Sequence, residues 1–359
     1  MNVLVIMNST DVKLGGGIIQ VILNYKKELE DEDINMTYAI NCIKNSKIPD
    51  MLNSKKSSFI DLPNKKKNFL KYCIKLYKIM HSNKFDVVHV HGNSANMLIE
   101  LGIAKLNGIP CRIAHSHNST CKNPKLNRLL IPIFKKTYTK ALACSEMAGE
   151  WLFGKNNFTV MNNAIDLNSF KFSKEIRYKY RKKLNVDENT KIIGHVGNIN
   201  TQKNHEFLIR LFKLYNDENS NSLLILIGDG PLKQKVIDLV KKLQLQEKVI
   251  FLGIKNDVNN WMQAMDILVF PSLWEGFGMV LIEAQAAGLP VLASNVVPSI
   301  IKINDNVSFL DLNENTNEDW NKEILNLLNA TRSRTIREDD FCDYDINKQG
   351  KKILEFYEE

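Results

Sequence analysis

The chain has 359 residues, too many for one ordinary core and suited to two domains of about 150 to 200 residues each. Its 44% hydrophobic and 25% charged residues give a soluble globular balance, and no apolar run approaches the ~18 residues that span a bilayer. The net charge of +8 is concentrated in residues 1–170, with 23 Lys and Arg against 13 Asp and Glu, but no recognised nucleic-acid module accompanies it, which argues against nucleic acid as a partner.

In chain order, VLVIM (3–7) reads as a buried strand, and the triplet Gly15, Gly16, Gly17 leads into the helical period of IIQVILNYKKELE. FDVVHVHG (85–92) is a second strand. SANMLIELGIAKLNG is a helix that stops near Gly108, and CRIAHSH and ALACS (141–145) are further strands, with Glu146 opening the next helix. The charged stretch 171–190 lacks strand character and marks a domain boundary. Beyond it come the strands KIIGHVGNI, SLLILIGDG, VIFLG, DILVFPS and PVLAS, alternating with helices, one of which carries Pro231 in its first turn. The alternation predicts an α/β protein with two parallel sheets covered by helices on both faces. The expected division is an N-terminal acceptor domain over 1–170 and a donor domain over 171–335. Residues 336–359 form a helical segment, with packing back on the N-terminal domain as one option.

Six cysteines, at 42, 73, 111, 121, 144 and 342, show no CxxC spacing and read as free thiols. MNVLVIM is interrupted by Asp11 and Lys13 and does not read as a secretory signal, so a cytoplasmic location is expected. The basic excess gathers in Lys55, Lys56, Lys65, Lys66, Lys67, Lys71, Lys75 and Lys78. A solvated charged face and attraction to anionic lipid headgroups, at about 1 kcal/mol per residue, both fit this pattern.

The stretch PSLWEGFGMVLIEAQAAGLPV carries Glu275 and Glu283. Gly276 and Gly278 make one continuous helix over both acids a poor model. A loop bearing Glu275, then a helix starting near Gly278 with Glu283 between one and two turns in, is the better one. The helix start offers the unpaired amides of Gly278, Met279 and Val280 and a positive dipole end, which suits a diphosphate, with the turn Gly276-Phe277-Gly278 allowing close approach. Glu283 is placed to accept hydrogen bonds from two ribose hydroxyls. Glu275 is placed to meet hydroxyls of the sugar beyond the phosphates.

This Glu-x7-Glu segment resembles the signature of family 4 glycosyltransferases, retaining enzymes of the GT-B fold, in which two Rossmann-like domains face each other across a cleft. GGGIIQVILNY, HVHG, IAHSHN, NNAIDLNSF, VGNINTQKNH, LIGDGP and FLGIKNDV resemble further family segments in the expected order. The resemblance implies transfer of a sugar from a nucleotide-sugar donor, with UDP favoured over GDP, to a saccharide acceptor. No cofactor or metal is required. Lys203 matches the phosphate-binding lysine. Asn198 stands where the family usually has arginine, and Arg210 or another base is then the substitute. Gly16 and Gly17 match the N-terminal phosphate loop, and Ile254 and Lys255 the backbone that contacts the base. His117 matches the histidine near the reacting sugar, with His115 its competitor two positions away; His91 is a further candidate cleft residue. Glu275, His117 and Lys203 are thus the candidate catalytic groups. Glu275 either supports the oxocarbenium-like centre or positions the sugar, and no side-chain nucleophile is assigned. With the basic N-terminal half, the resemblance points to a polyprenyl-diphosphate-linked acceptor in surface polysaccharide synthesis and peripheral contact with an anionic membrane. A UDP-sugar 2-epimerase and a catalytically silent sugar- or lipid-binding scaffold are the rival readings.

Overall fold

The computed structural model describes residues 1–7, 12, 16–43, 47–313, 316–330 and 336–359. They divide into two compact units, Met1–Ile165 with Asp343–Glu359, and Asp166–Cys342.

The first unit runs β1 (Asn2–Met7), α1 (Gly17–Glu28), β2 (Asn35–Asn41), α2 (Lys47–Leu52), β3 (Ser57–Leu62), α3 (Phe69–Ser82), β4 (Val87–Gly92), α4 (Leu98–Leu106), β5 (Cys111–Ser116), α5 (Pro124–Phe134), β6 (Lys140–Ala143), α6 (Glu146–Phe153) and β7 (Thr159–Val160). Its strands pair in parallel, in the order β3-β2-β1-β4-β5-β6-β7. Its central strands are apolar on both sides because helices cover both faces. One face buries Val3, Val5, Tyr38 and Val87 under α1, and the other buries Leu4, Ile6, Val88 and Val90 under α3, α4 and α5. The edge strand β3 is mixed, with Ser58 and Asp61 exposed, so its sequence carries no strand run to read.

The second unit begins with α7 (Leu167–Phe170) and α8 (Lys174–Lys183). It continues through β8 (Lys191–Val196), α9 (His205–Glu218), β9 (Ser222–Ile227), α10 (Lys233–Lys242), β10 (Val249–Gly253), α11 (Val258–Ala264), β11 (Ile267–Phe270), α12 (Met279–Ala286), β12 (Val291–Ser294), β13 (Val307–Leu310) and α13 (Asn317–Asn329). The sheet order is β10-β9-β8-β11-β12-β13, again parallel. Pro231 sits in the turn before α10, which starts at Lys233, rather than in the helix's first turn. The last helix, α14 (Ile346–Glu358), belongs to the first unit. Asp345 caps it by accepting from the Asn347 amide at 3.1 Å, and Ile346, Ile353 and Tyr357 join the core beside α1.

The charged stretch read as a boundary is largely α8, and its arginines clamp the second sheet. Arg181, 1% exposed, reaches Asp266 Oδ2 at 3.2 Å, and Arg177 reaches Oδ1 at 2.7 Å. Asp266 also accepts from the Ile192 amide at 2.7 Å, where β8 begins. Arg181 also donates to the carbonyls of Asp187 and Ala264, and Glu188 faces both arginines, but Glu188 is 60% exposed and Asp266 only 15%, so removing Asp266 takes from the buried guanidinium its less solvated counter-charge. Asp266→Ala is expected to cost about 3–5 kcal/mol in urea unfolding of the full chain. A loss under about 1 kcal/mol would show the clamp to be incidental.

Candidate functional site

In each sheet the strand order reverses beside one strand: between β1 and β4 in the first unit, between β8 and β11 in the second. Loops leaving the carboxyl ends of such neighbouring strands diverge to opposite faces and open a crevice that can take a ligand. Asn198 and Lys203 follow β8, Glu275 to Gly278 follow β11, and Gly16 and Gly17 follow β1; His117 instead follows β5, Ile254 and Lys255 follow β10, and Glu283 lies within α12.

In the second unit, the β8–α9 loop carries Asn198 and Lys203, and the β11–α12 loop carries Glu275 to Gly278. The two loops are joined by backbone. Leu273 N donates to Gln202 O at 2.8 Å, and Gln202 Nε2 donates to Trp274 O at 2.9 Å. This brings Lys203 Nζ to 2.5 Å from Glu275 Oε2, with side-chain exposures of only 14% and 12%. The ammonium also lies 4.2 Å from the Phe270 ring centre. Burial pushes the Lys203 pKa down, and Glu275 opposes that shift. Asn204 adopts a left-handed conformation (φ 52°), which turns the chain into α9 directly after the lysine.

Gly278 is the N-cap of α12, at φ 86°, a region that L side chains avoid. Its position packs against Glu275, since an added Cβ would lie 3.4 Å from Glu275 Cγ. Phe277 is buried, at 9% exposure. Met279 and Val280 form the first turn of α12, and Gly276 precedes them in the loop. Glu283 is the fifth residue of that helix and is half-buried. Desolvation raises its carboxyl to about 7. The helix is held from behind by Gln285, whose Nε2 donates to Ile301 O at 2.7 Å and whose Oε1 accepts from Ile303 N at 2.9 Å.

Asn198 is exposed, and its Oδ1 lies where a Cβ at Gly230 would collide. Ile254 is 55% exposed just after β10, and Lys255 Nζ stands 5.7 Å from the Trp261 ring centre. Arg210, the substitute considered for the missing arginine, is half-exposed on α9 and pairs with Glu206 at 3.3 Å. Two groups beside Lys203 escape the sequence reading. His195 and His205 are buried with ring centres 4.6 Å apart, and His195 Nδ1 bonds Val269 O at 2.8 Å. A lone histidine on an apolar strand gives no spacing signal that would single it out.

In the first unit, Gly16 caps α1 and Gly17 is its first residue, so both stand at a helix start following β1; Gly15 lies outside the described residues. On the neighbouring strands four histidines stack. His89 lies 4.1 Å from His91 and His115 lies 4.2 Å from His117, ring centre to ring centre. Two hydrogen-bonded rungs cross between strands, His89 Nε2 to His115 Nδ1 at 3.1 Å and His91 Nδ1 to His117 Nε2 at 2.8 Å. Tyr357 of α14 meets His89 Nδ1 at 2.8 Å. His115 is fully buried, whereas His117, past the end of β5, is half-buried. Nitrogens of His89, His91 and His115 lie within 4.8 Å of one another. Both nitrogens of His89 are already engaged, however, so a metal would have to break this ladder to bind.

Burial holds His89 at about 3, His117 at about 4 and His205 at about 4, and keeps His91, His115 and His195 well below their ordinary value. The rings are therefore neutral in the folded chain, while the unfolded chain protonates near pH 6.5. Stability is complete above about pH 6.5 and falls as the pH drops toward the folded values, because only the unfolded state takes up protons. Urea midpoints measured from pH 7.5 to pH 4.5 are expected to fall steadily below about pH 6.5. A flat profile would mean that the rings are solvated.

Residues 176–338 match the family model described as "Glycosyl transferases group 1", and residues 15–169 match "Glycosyltransferase Family 4". A Bacillus subtilis relative bearing the glycosyltransferase name EpsF is 34% identical over 231 residues, 61% of this chain and 60% of that one; the match thus spans under two thirds of the relative's length. An Escherichia coli UDP-Gal:alpha-D-GlcNAc-diphosphoundecaprenol alpha-1,3-galactosyltransferase is 27% identical over 313 residues, 80% of this chain and 79% of the relative. Among solved structures, Anabaena HepE in complex with UDP-glucose aligns with a TM-score of 0.80 at 19% identity, covering 100% of this chain and 99% of that one, a likeness of fold. With a Family 4 domain followed by a group 1 domain across residues 15–338, the chain belongs to the family 4 glycosyltransferases, of GT-B fold.

Proposed function

We propose that the chain is a retaining glycosyltransferase that moves a sugar from a UDP-sugar to a hydroxyl of a polyprenyl-diphosphate-linked saccharide. The observation that carries this reading is the Lys203–Glu275 pair set beside the open start of α12. A cation, a helix dipole end and unpaired amides at one place favour a departing diphosphate, and they need no reorganisation when charge develops there. The E. coli relative, named for UDP-Gal and a diphosphoundecaprenol-linked acceptor, supports the choice of donor and acceptor.

In this reading Lys203 leaves Glu275 for the β-phosphate, joined by the amides of Gly278, Met279 and Val280. Gly16 and Gly17 leave the start of α1 without side chains, as close approach of a phosphate to backbone requires. Ile254 and Lys255 meet the uracil, and Glu283 accepts both ribose hydroxyls. Glu275, released from the lysine, binds hydroxyls of the transferred sugar. His117, neutral at working pH, offers one nitrogen to a sugar hydroxyl, and Asn198 adds an uncharged donor. The anomeric carbon–oxygen bond to the β-phosphate breaks, the acceptor oxygen bonds to the same face, and its proton passes to the departing phosphate. No side-chain nucleophile takes part. An acceptor held at a membrane places the enzyme against the inner leaflet.

Incubation with UDP-sugar and a polyprenyl-diphosphate saccharide is expected to yield product with the donor's anomeric configuration, read by NMR coupling. Lys203→Ala is expected to lower kcat about 10²–10³-fold. An inverted product, or sugar isomerised without any acceptor, would overturn the reading.

The raised Glu283 carboxyl gives a second test. A carboxylate accepts from two hydroxyls, whereas the protonated form cannot accept both with the same strength. UDP affinity of the native chain, relative to Glu283→Gln to cancel the titration of the phosphate, is expected to rise as the pH passes upward through about 7. Parallel profiles for the two proteins would remove Glu283 from the ribose.

A further inference from the structure

The helices α3, α4 and α5 cover one face of the first unit's sheet and share one core, to which α3 gives Tyr72, Leu76 and Met80. The seat is fixed: Tyr72 OH donates to Glu100 Oε1 at 2.6 Å, and Lys65 Nζ pairs with the same oxygen at 2.7 Å. That core uses a single face of α3. On a second face Leu70, Ile74 and Tyr77 follow at i, i+4 and i+7, and they stand 74%, 55% and 42% exposed. One residue further on, Lys71, Lys75 and Lys78 form a parallel row, also exposed.

The pattern recurs on α5. Leu126, Leu129 and Ile133 are 44%, 72% and 57% exposed, beside exposed Lys125 and Arg128. Burying such side chains elsewhere in the molecule would be worth about 1.5–3 kcal/mol each, so two unburied rows on one helical layer call for a partner. The segments that carry them are one-signed along the chain, with Asp61 the exposed acid at the edge of the α3 row, where Lys75 Nζ donates to its carbonyl at 2.6 Å. Between Leu62 and Phe85 there are seven lysines and no carboxylate; between Leu101 and Ser145 there are eight Lys and Arg and no carboxylate.

We propose that this layer, through α3 and α5, docks the first unit on an anionic lipid bilayer, with Leu70, Ile74, Leu129 and Ile133 entering the acyl boundary and the lysine rows meeting headgroups. An apolar row edged by cations is the arrangement of a helix that lies in a membrane interface. A second copy of the chain fits poorly, because pairing these faces would set lysine row against lysine row. No helix among the described residues is long and apolar enough to cross a membrane, so the contact is one of surface seating. The inference rests on the reading of a membrane-borne acceptor for its purpose, but its test needs no turnover.

The test is co-sedimentation of the full chain with phosphatidylglycerol-containing vesicles and with pure phosphatidylcholine vesicles at physiological salt. The native chain is expected to bind the anionic vesicles and to lose binding as salt rises. Leu70→Ser/Ile74→Ser/Leu129→Ser and, separately, Lys71→Ser/Lys75→Ser/Lys78→Ser are each expected to weaken binding at least about tenfold. All these positions are exposed, so unfolding midpoints should be unchanged. Transfer to a detergent-dispersed acceptor should also persist, which separates loss of docking from failure of the proposed reaction. Equal vesicle binding by native and variant chains would overturn the proposal. So would lipid-free self-association of the native chain that the Leu/Ile variant abolishes, since this would assign the face to a second copy.

Discussion

The second unit is organised around an ion pair that is expensive to keep. Lys203 and Glu275 meet at 2.5 Å with about an eighth of each side chain exposed, where desolvation of either charge alone costs several kcal/mol. The pair persists because its surroundings hold it from three sides. Phe270 lies under the ammonium, Gln202 pins the carbonyl that precedes Glu275, and Gly278 closes on the carboxylate's stem. Burial alone would drive the lysine toward neutrality, and the partner carboxylate counteracts it. A cation is thereby stored in a poorly solvated place beside a helix N-terminus. In the proposed reaction this is a charge exchange: the carboxylate that stabilises the free enzyme is the group the diphosphate displaces, and once displaced it faces the sugar.

The two units solve different electrostatic problems with different residues. In the proposed reaction the second holds a polyanion with a lysine, an α-helix start and backbone amides. Among its described residues the first presents, at its corresponding strand ends, a ladder of neutral imidazoles, hydrogen-bonded in two rungs and tied to α14 through Tyr357. Neutral rings suit hydroxyl recognition, because each nitrogen offers either one donor or one lone pair without the solvation cost of an ion. The same burial that fixes the rungs also makes the ladder acid-labile.

Legibility followed burial. Strands covered on both faces, such as β1, β9 and β11, appear in sequence as near-continuous apolar runs and are readable, as is β4, whose run only its two histidines interrupt. The strands β2 and β3 mix Asn, Thr and Ser with their apolar residues and carried no comparable run. The stretch read as a domain boundary by its charge is largely α8, and the role of two of its arginines, which meet Asp266 just before β11, depends on packing that charge alone does not reveal. At the site, the turn from β11 into α12 was legible because glycine at a left-handed φ, a helix start and a carboxylate form a local signal. His195 and His205 were not, since their place beside Lys203 depends on the packing of β8 against α9. The choice between His115 and His117 likewise needed the end of β5, which lies between full burial and partial access.

Asn198 shows how much of the proposed reaction must be carried by dipoles. Where the family usually places arginine, this chain offers an exposed amide lying over Gly230, and Arg210 is engaged by Glu206. A single lysine cannot neutralise a departing diphosphate by charge alone. Within the second unit the remainder has to come from the start of α12 and from the backbone of the β8–α9 loop, each supplying partial charges fixed in direction. Fixed dipoles stabilise only what sits correctly before them, so a site built this way tolerates less displacement than one with a mobile second cation. That makes Gly278 more exacting than its size suggests. A side chain there would strain a φ of 86° and crowd Glu275, turning aside both the amides and the carboxylate on which the single lysine depends.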